Sequence, residues 1–208
     1  MLLFATSNAP SESGDVHAEE ALTRLLDGNR RFVAGKSIQA SGPALIERRR
    51  AVVNEQKPFA VIVGCSDSRV PPELVFDVTL GEIFVIRTAG EVVEAVALGS
   101  IEFAIGLLGT RLIVVLGHQS CGAVSAAVSG AKETGDIPTV LKAILPAIEA
   151  TKGESGDPID KAVRANARDV AKRLQDTGPV IRPRVQAGEV KVVAAYYSLE
   201  SGRVELLN

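Results

Sequence analysis

Cys65, Asp67 and Arg69 fall within five positions of one another in "VGCSDSRVPPE" (63–73), directly after the apolar run "FAVIVG" (59–64). Some fifty residues later, His118 and Cys121 occur in "LGHQSCGAV" (116–124), again where an apolar run ends. Cys65 and Asp67 are two apart and point the same way in extended chain. His118 and Cys121 are three apart and share a face if they lie on a helical turn. Two thiolates and one imidazole form a borderline-soft nitrogen–sulfur set that suits zinc, and three protein ligands leave the fourth tetrahedral position open. Two thiolates already neutralise the dication, so a water on such a metal is harder to ionise than on a site of neutral histidines. Asp67 and Arg69 are candidates to compensate. An ionised Asp67 can accept a hydrogen bond from the nucleophile, and Arg69 can hold it by a charge-assisted fork and keep it off the metal. Released, Asp67 could swing in as a fourth ligand and close the site.

Each residue also has an ordinary reading. Buried free cysteines behave as small hydrophobes, a lone histidine can be a satisfied core residue, and Asp with Arg can simply pair at a strand-end turn. The two cysteines could also form a lone disulfide. What favours the metal reading is the coincidence: both cysteines of the chain and one of its two histidines sit at expected strand ends. His17 has no such company and reads as a surface residue.

The elements that must bring these residues together are short, continuously apolar, β-branched runs: 59–64, 83–87, 112–117 and 190–197. Lacking alternation, they read as strands buried on both faces, as in a parallel sheet. Helical patterns precede and separate them, at 15–35, 43–56, 92–108, 122–130, 137–150 and 158–176. The alternation predicts an α/β fold with a mostly parallel central sheet flanked by helices, an N-terminal helical arm, and a short antiparallel edge strand after the turn at Ser201-Gly202. In such sheets, sites form at the carboxyl ends of the strands. Residues 1–14 read as a flexible arm, and 15–208 as a single domain.

At 208 residues and a net charge of -2, the chain can bury one substantial core and carries no basic field for nucleic acid. The densest basic run, Arg48–Arg50, reads as a solvated helix face. No apolar run is long enough to span a membrane. The "MLLFA" start lacks the basic residues of a secretory signal. A cytoplasmic location is therefore expected, with no nucleic-acid or membrane partner.

"CSDSRVPPE" followed by "GHQSCGAV" resembles the β-class carbonic anhydrases, and the likeness extends to "LLDGNRRFVAG", "GEIFVIRTAG" and "VKVVAAYYSLESGRVELL". The resemblance implies a zinc lyase in which a zinc-activated hydroxide adds to CO2 to give bicarbonate and a proton. It makes Cys65, His118 and Cys121 the Zn2+ ligands and Asp67 with Arg69 the catalytic dyad. Gln56 matches a glutamine that reaches the site from a partner subunit. Phe84 and Phe103 would line an apolar pocket, with Gly122 close to the metal. A homodimer or homotetramer with sites at the subunit interface follows. The chain departs from the family pattern in three places. "RTAGE" stands where many members have "RNAGN", so Thr88 and Glu91 are expected to alter the contacts around Arg87. Phe103 replaces a tyrosine of the plant-type enzymes. Ile62 occupies the position of a tryptophan that accompanies regulation by a second bicarbonate, which favours an open, water-bound zinc. Two rivals stand beside this reading: hydrolysis of a CO2 analogue such as carbonyl sulfide or carbon disulfide, and a non-catalytic structural zinc protein. A redox role is weaker, because there is no Cys-x-x-Cys pair.

Overall fold

A computed structural model describes residues 16–39 and 41–207. The expected arm at 1–14 lies outside the described residues.

The sheet grows from the apolar runs. β1 (Ala60–Cys65) and β3 (Leu112–His118) are buried along their whole length, which is what unbroken Val, Ile and Leu require. β2 (Ile83–Thr88) and β4 (Lys191–Tyr197) flank them, and β5 (Val204–Leu207) closes one edge. The order is β2-β1-β3-β4-β5, with the first four strands parallel and β5 antiparallel. The chain moves outward from β1 to β2 and then crosses back to β3, so the strand order reverses between β1 and β3. That reversal opens a crevice at the carboxyl ends of these two strands.

Alternate side chains of β1 and β3 feed two cores. Val61, Val63, Ile113 and Val115 pack with α4 (Ala95–Gly106), α5 (Gly122–Val128), α6 (Ile137–Ala150) and α7 (Pro158–Gln175), through residues such as Ile101, Val124, Ile144 and Val163. On the other face, Ile62, Leu112, Val114 and Leu116 meet α1 (Ala18–Val33) through Leu22 and Leu25, together with Val75 and Phe76 at the end of α3 (Pro72–Val75). The charges of α1 suit the helix dipole, with Glu19 and Glu20 in its first turn and Arg30 and Arg31 in its last. Asn29 fixes the helix laterally. Its Nδ2 donates to Val75 O (3.0 Å) and Gly202 O (2.8 Å), and its Oδ1 accepts from Val204 N (2.8 Å).

The element order agrees with the sequence reading, while several bounds shift. α2 (Gly42–Ala51) ends short of the expected 56 and buries none of its residues, so the Arg48–Arg50 run does lie on an exposed helix. Two short helices went unforeseen: α3, which begins at Pro72, and α8 (Ile181–Gln186), which contains Pro183 in its first turns, where a missing N–H costs little. Among the described residues no helix is long and apolar enough to cross a membrane.

Candidate metal centre

Cys65 is the last residue of β1 and His118 the last of β3. Gly64 lies opposite Leu116 in the register, so the two strands release their final residues side by side. Cys121 is the residue before α5. The link from His118 to Cys121 is not the helical turn that their spacing suggests. Ser120 sits at φ 54° and Cys121 is extended (φ -63°, ψ 121°), so a tight left-handed turn, not a helix face, folds the second cysteine back. The three ligand atoms lie within 4.8 Å of one another, and all three residues are buried.

The sulfurs are 3.9 Å apart, and both cysteines are free. A disulfide would hold them at about 2.05 Å, whereas two sulfurs on a tetrahedral zinc at about 2.3 Å each are roughly 3.8 Å apart. His118 Nδ1 lies 2.9 Å from the carbonyl of Gln119. Donating there fixes the tautomer and turns the lone pair of Nε2 toward the sulfurs. That Nε2 is buried and has no hydrogen-bond partner. A buried nitrogen acceptor without a donor is costly, and a cation between it and two thiols removes the cost. The donor set and its spacing fit zinc.

Electrostatics prepare the sulfurs. The Cys65 thiol is pushed well down, chiefly by its contact with Cys121, then by His118 and by backbone bonds from Gly90 and Asp67. Cys121 is pushed up by that same contact and by burial. For His118, burial is the largest influence and pulls its pKa down, yet the neighbouring Cys65 outweighs it and the net shift is upward.

Asp67 stands beside this group, with Oδ2 3.9 Å from His118 Nε2. Arg69 ties it back by a two-pronged fork, Nε to Oδ1 at 2.9 Å and a terminal nitrogen to Oδ2 at 2.7 Å, and its backbone N–H adds a third bond to Oδ1 (2.9 Å). Arg69 holds the Asp67 carboxyl well below the usual carboxylate range. The same guanidinium donates to Ser120 O (3.1 Å), which joins the two loops that carry the cysteines. Arg87, from β2, donates to the carbonyls of Cys65 (2.8 Å) and Asp67 and so braces the first loop from the other side.

The trio, Asp67, Arg69 and Gly122 thus share the carboxyl end of the sheet. Gln56, Phe84 and Phe103 do not join them within one chain. Gln56 is exposed and precedes β1, at the opposite end of that strand from Cys65. Phe84 lies opposite Val61, four residues before the Thr88 that pairs with Cys65, or about 13 Å along the strand. Phe103 stacks on Phe84 (ring centroids 6.4 Å apart) and is 46% exposed. His17 is exposed, as expected. The expectation for Glu91 needs correction: it turns away from Arg87 into the interior, where its Oε1 accepts from Asn166 Nδ2 at 2.9 Å. Burial is the main reason its pKa is pushed up to about 7. Thr88 likewise bonds forward to Val92 O (2.7 Å). Asn166 and Gly90 escaped the sequence reading, although Asn166 left a signal: it interrupts an otherwise apolar stripe at 162, 163, 167, 170, 171 and 174 on α7.

Known proteins are similar to this chain in sequence and fold. The family model described as carbonic anhydrase matches residues 60–204. A carbonic anhydrase of Mycolicibacterium smegmatis is 41% identical, with 88% of this chain and 89% of that protein covered. Carbonic anhydrase 2 of Mycobacterium tuberculosis is 38% identical at the same coverage. Among solved structures, the β-carbonic anhydrase CcaA superposes with a TM-score of 0.70 at 27% identity, over 90% of this chain and 95% of that one. The β-carbonic anhydrase CafA of Aspergillus fumigatus does so with a TM-score of 0.71 at 26% identity, over 90% of each.

Proposed function

This chain belongs to the β-carbonic anhydrase family, and on that premise we propose that it is a zinc enzyme that interconverts CO2 and bicarbonate, with Cys65, His118 and Cys121 as ligands. The observation that carries the metal assignment is the convergence of two sulfurs and an unpartnered, buried imidazole nitrogen within 4.8 Å. Zinc held there supplies Lewis-acid activation of a water at ordinary pH.

The chain's own groups do the rest. Asp67, kept ionised by Arg69, presents its Oδ2 as acceptor for a hydrogen bond from the attacking water and so fixes which lone pair faces the substrate. Arg69 binds one lone pair on each carboxylate oxygen in the fork, which leaves Oδ2 able to accept from water while the carboxylate as a whole is held back from the metal's fourth position. Arg87 and the Arg69–Ser120 bond keep the two cysteine loops at a fixed separation. CO2 carries no net charge, and an apolar wall suffices to hold it.

That wall comes from a second copy. Gln56, Phe84 and Phe103 gather toward the amino ends of β1 and β2, while the metal trio occupies the carboxyl ends. A two-fold axis at the β2 side of the sheet would bring one subunit's cluster to the other's metal site. A homodimer or homotetramer therefore completes the centre. Residues 15–208 act as one catalytic domain, built on a single sheet, and its location is the cytoplasm.

Stopped-flow assay of zinc-loaded protein, with CO2, carbonyl sulfide and carbon disulfide offered in turn, tests the proposal. Rapid CO2 hydration is expected, lost with the zinc in Cys121→Ser. Hydrolysis of the sulfur compounds without CO2 turnover would replace the substrate, and full zinc with no turnover would leave a structural site.

A further inference from the structure

Directly after β2, Gly90 and Glu91 both take positive φ, 65° and 45°. Glycine adopts this freely, and a Cβ on Gly90 would lie 2.8 Å from Ile144 Cδ1, so a larger residue would be strained and would displace that side chain. Glu91 has no such freedom, and a strained residue of this kind persists only where its surroundings over-determine it. Its side chain is also fully buried, a rare place for a glutamate. The over-determination comes from Asn166 on α7, itself 1% exposed. One Nδ2 donates both to Gly90 O (2.9 Å) and to Glu91 Oε1 (2.9 Å), gripping the turn by backbone and side chain together.

The gripped turn has one outward product. Gly90 N–H donates to Cys65 Sγ at 3.3 Å, across 25 residues of sequence. We propose that Asn166 is a positioning residue for the metal centre, which holds the Gly90–Glu91 turn so that the Gly90 N–H bonds the Cys65 sulfur. The inference rests on the reading of Cys65, His118 and Cys121 as metal ligands. Its chemical sense lies in the charge problem of a two-thiolate site. A donor on the sulfur withdraws electron density from it, so the bound cation keeps more of its positive charge, and outer-shell groups of this kind tune both affinity and reactivity.

Cobalt(II) replaces zinc in the test, because thiolate-to-cobalt charge transfer reports the electron density on sulfur directly. Full-length wild type, Asn166→Ala and Glu91→Gln are loaded, and both the absorption band and the cobalt affinity are measured. In Asn166→Ala the band is expected to move to longer wavelength as density returns to the sulfur, and the affinity to fall about tenfold or more as Cys65 loses its fixed orientation. Glu91→Gln still offers an Oε1 to Asn166 and should leave the band in place. A band unmoved in Asn166→Ala overturns the proposal whatever the affinity does, and an equal shift in Glu91→Gln would assign the effect to the carboxylate and overturn it as well. A wild type with no charge-transfer band removes the metal reading itself, which separates the two failures. Should Asn166→Ala not fold, wild type loaded with cadmium-113 needs no variant: the Gly90 amide proton is expected to show scalar coupling to the metal through the sulfur, and its absence sinks the proposal.

Discussion

Glu91 carries a cost that its pKa makes measurable. Burial pushes this carboxyl up to about 7, against about 4.3 in an unfolded chain. Between these values the native protein binds more protons than the unfolded one, so stability falls as pH rises through this window. Above about pH 7 the full penalty applies, on the order of 3–4 kcal/mol. Glu91→Gln is therefore expected to be more stable than wild type above neutrality, with the gap closing as pH falls toward 4. Urea melts of metal-free protein across that range check it, and a gap independent of pH would mean that the Glu91 carboxyl titrates alike in the folded and unfolded chain. The candidate site residues were legible, since Cys65, Asp67 and Arg69 sit together and His118 and Cys121 repeat the pattern after a second strand. The left-handed Ser120 and Glu91 were not legible, because nothing in a serine or glutamate announces a positive φ. It is imposed by Arg69 on the Ser120 carbonyl and by Asn166 on Glu91.

Secondary elements were legible where burial dictated their composition. β1 and β3 are buried on both faces and wrote continuous apolar runs. α3 and α8, of four and six residues, are too short to write a period, and proline stands in each. α2 shows the reverse failure: its residues suit a helix, but no apolar face packs it down, and it stops at Ala51 rather than running on. How closely elements approach is likewise invisible in sequence until a glycine is placed. Gly28 lets α1 lie against the end of α3 so tightly that a Cβ there would be 1.7 Å from Phe76 O, a backbone atom that cannot step aside. Gly28→Ala is expected to lose at least about 3 kcal/mol, or about 6–12 °C in Tm, with the metal ligands untouched. Thermal melting monitored by circular dichroism checks this, and an unchanged Tm would show that α1 can ride outward without loss.

For the molecule as a whole, the fold class follows from the order of strands and helices, whereas assembly does not follow from any pattern in the chain. Its trace is on the surface. Val96 on α4 and Leu107, which caps its end, are 86% and 73% exposed, with Phe103 between them, and a stripe of this kind asks for a partner. An even oligomer is expected in solution by light scattering, and Val96→Asp with Leu107→Asp together are expected to shift it toward monomer and lower CO2 turnover at least tenfold while zinc stays bound. A fully active monomer would show that one chain builds the whole site.

In the proposed site, Arg69 holds Asp67 away, so that a metal at Cys65, His118 and Cys121 is open to substrate. Stopped-flow CO2 hydration from neutral to alkaline pH, on protein of measured zinc content, tests it most directly. Turnover already rapid at neutral pH is the predicted result, because the Asp67 carboxylate is ionised and tied to Arg69 throughout that range. Turnover that appears only at alkaline pH, with zinc fully loaded, would mean that Asp67 leaves Arg69 and closes the site, and would contradict the account.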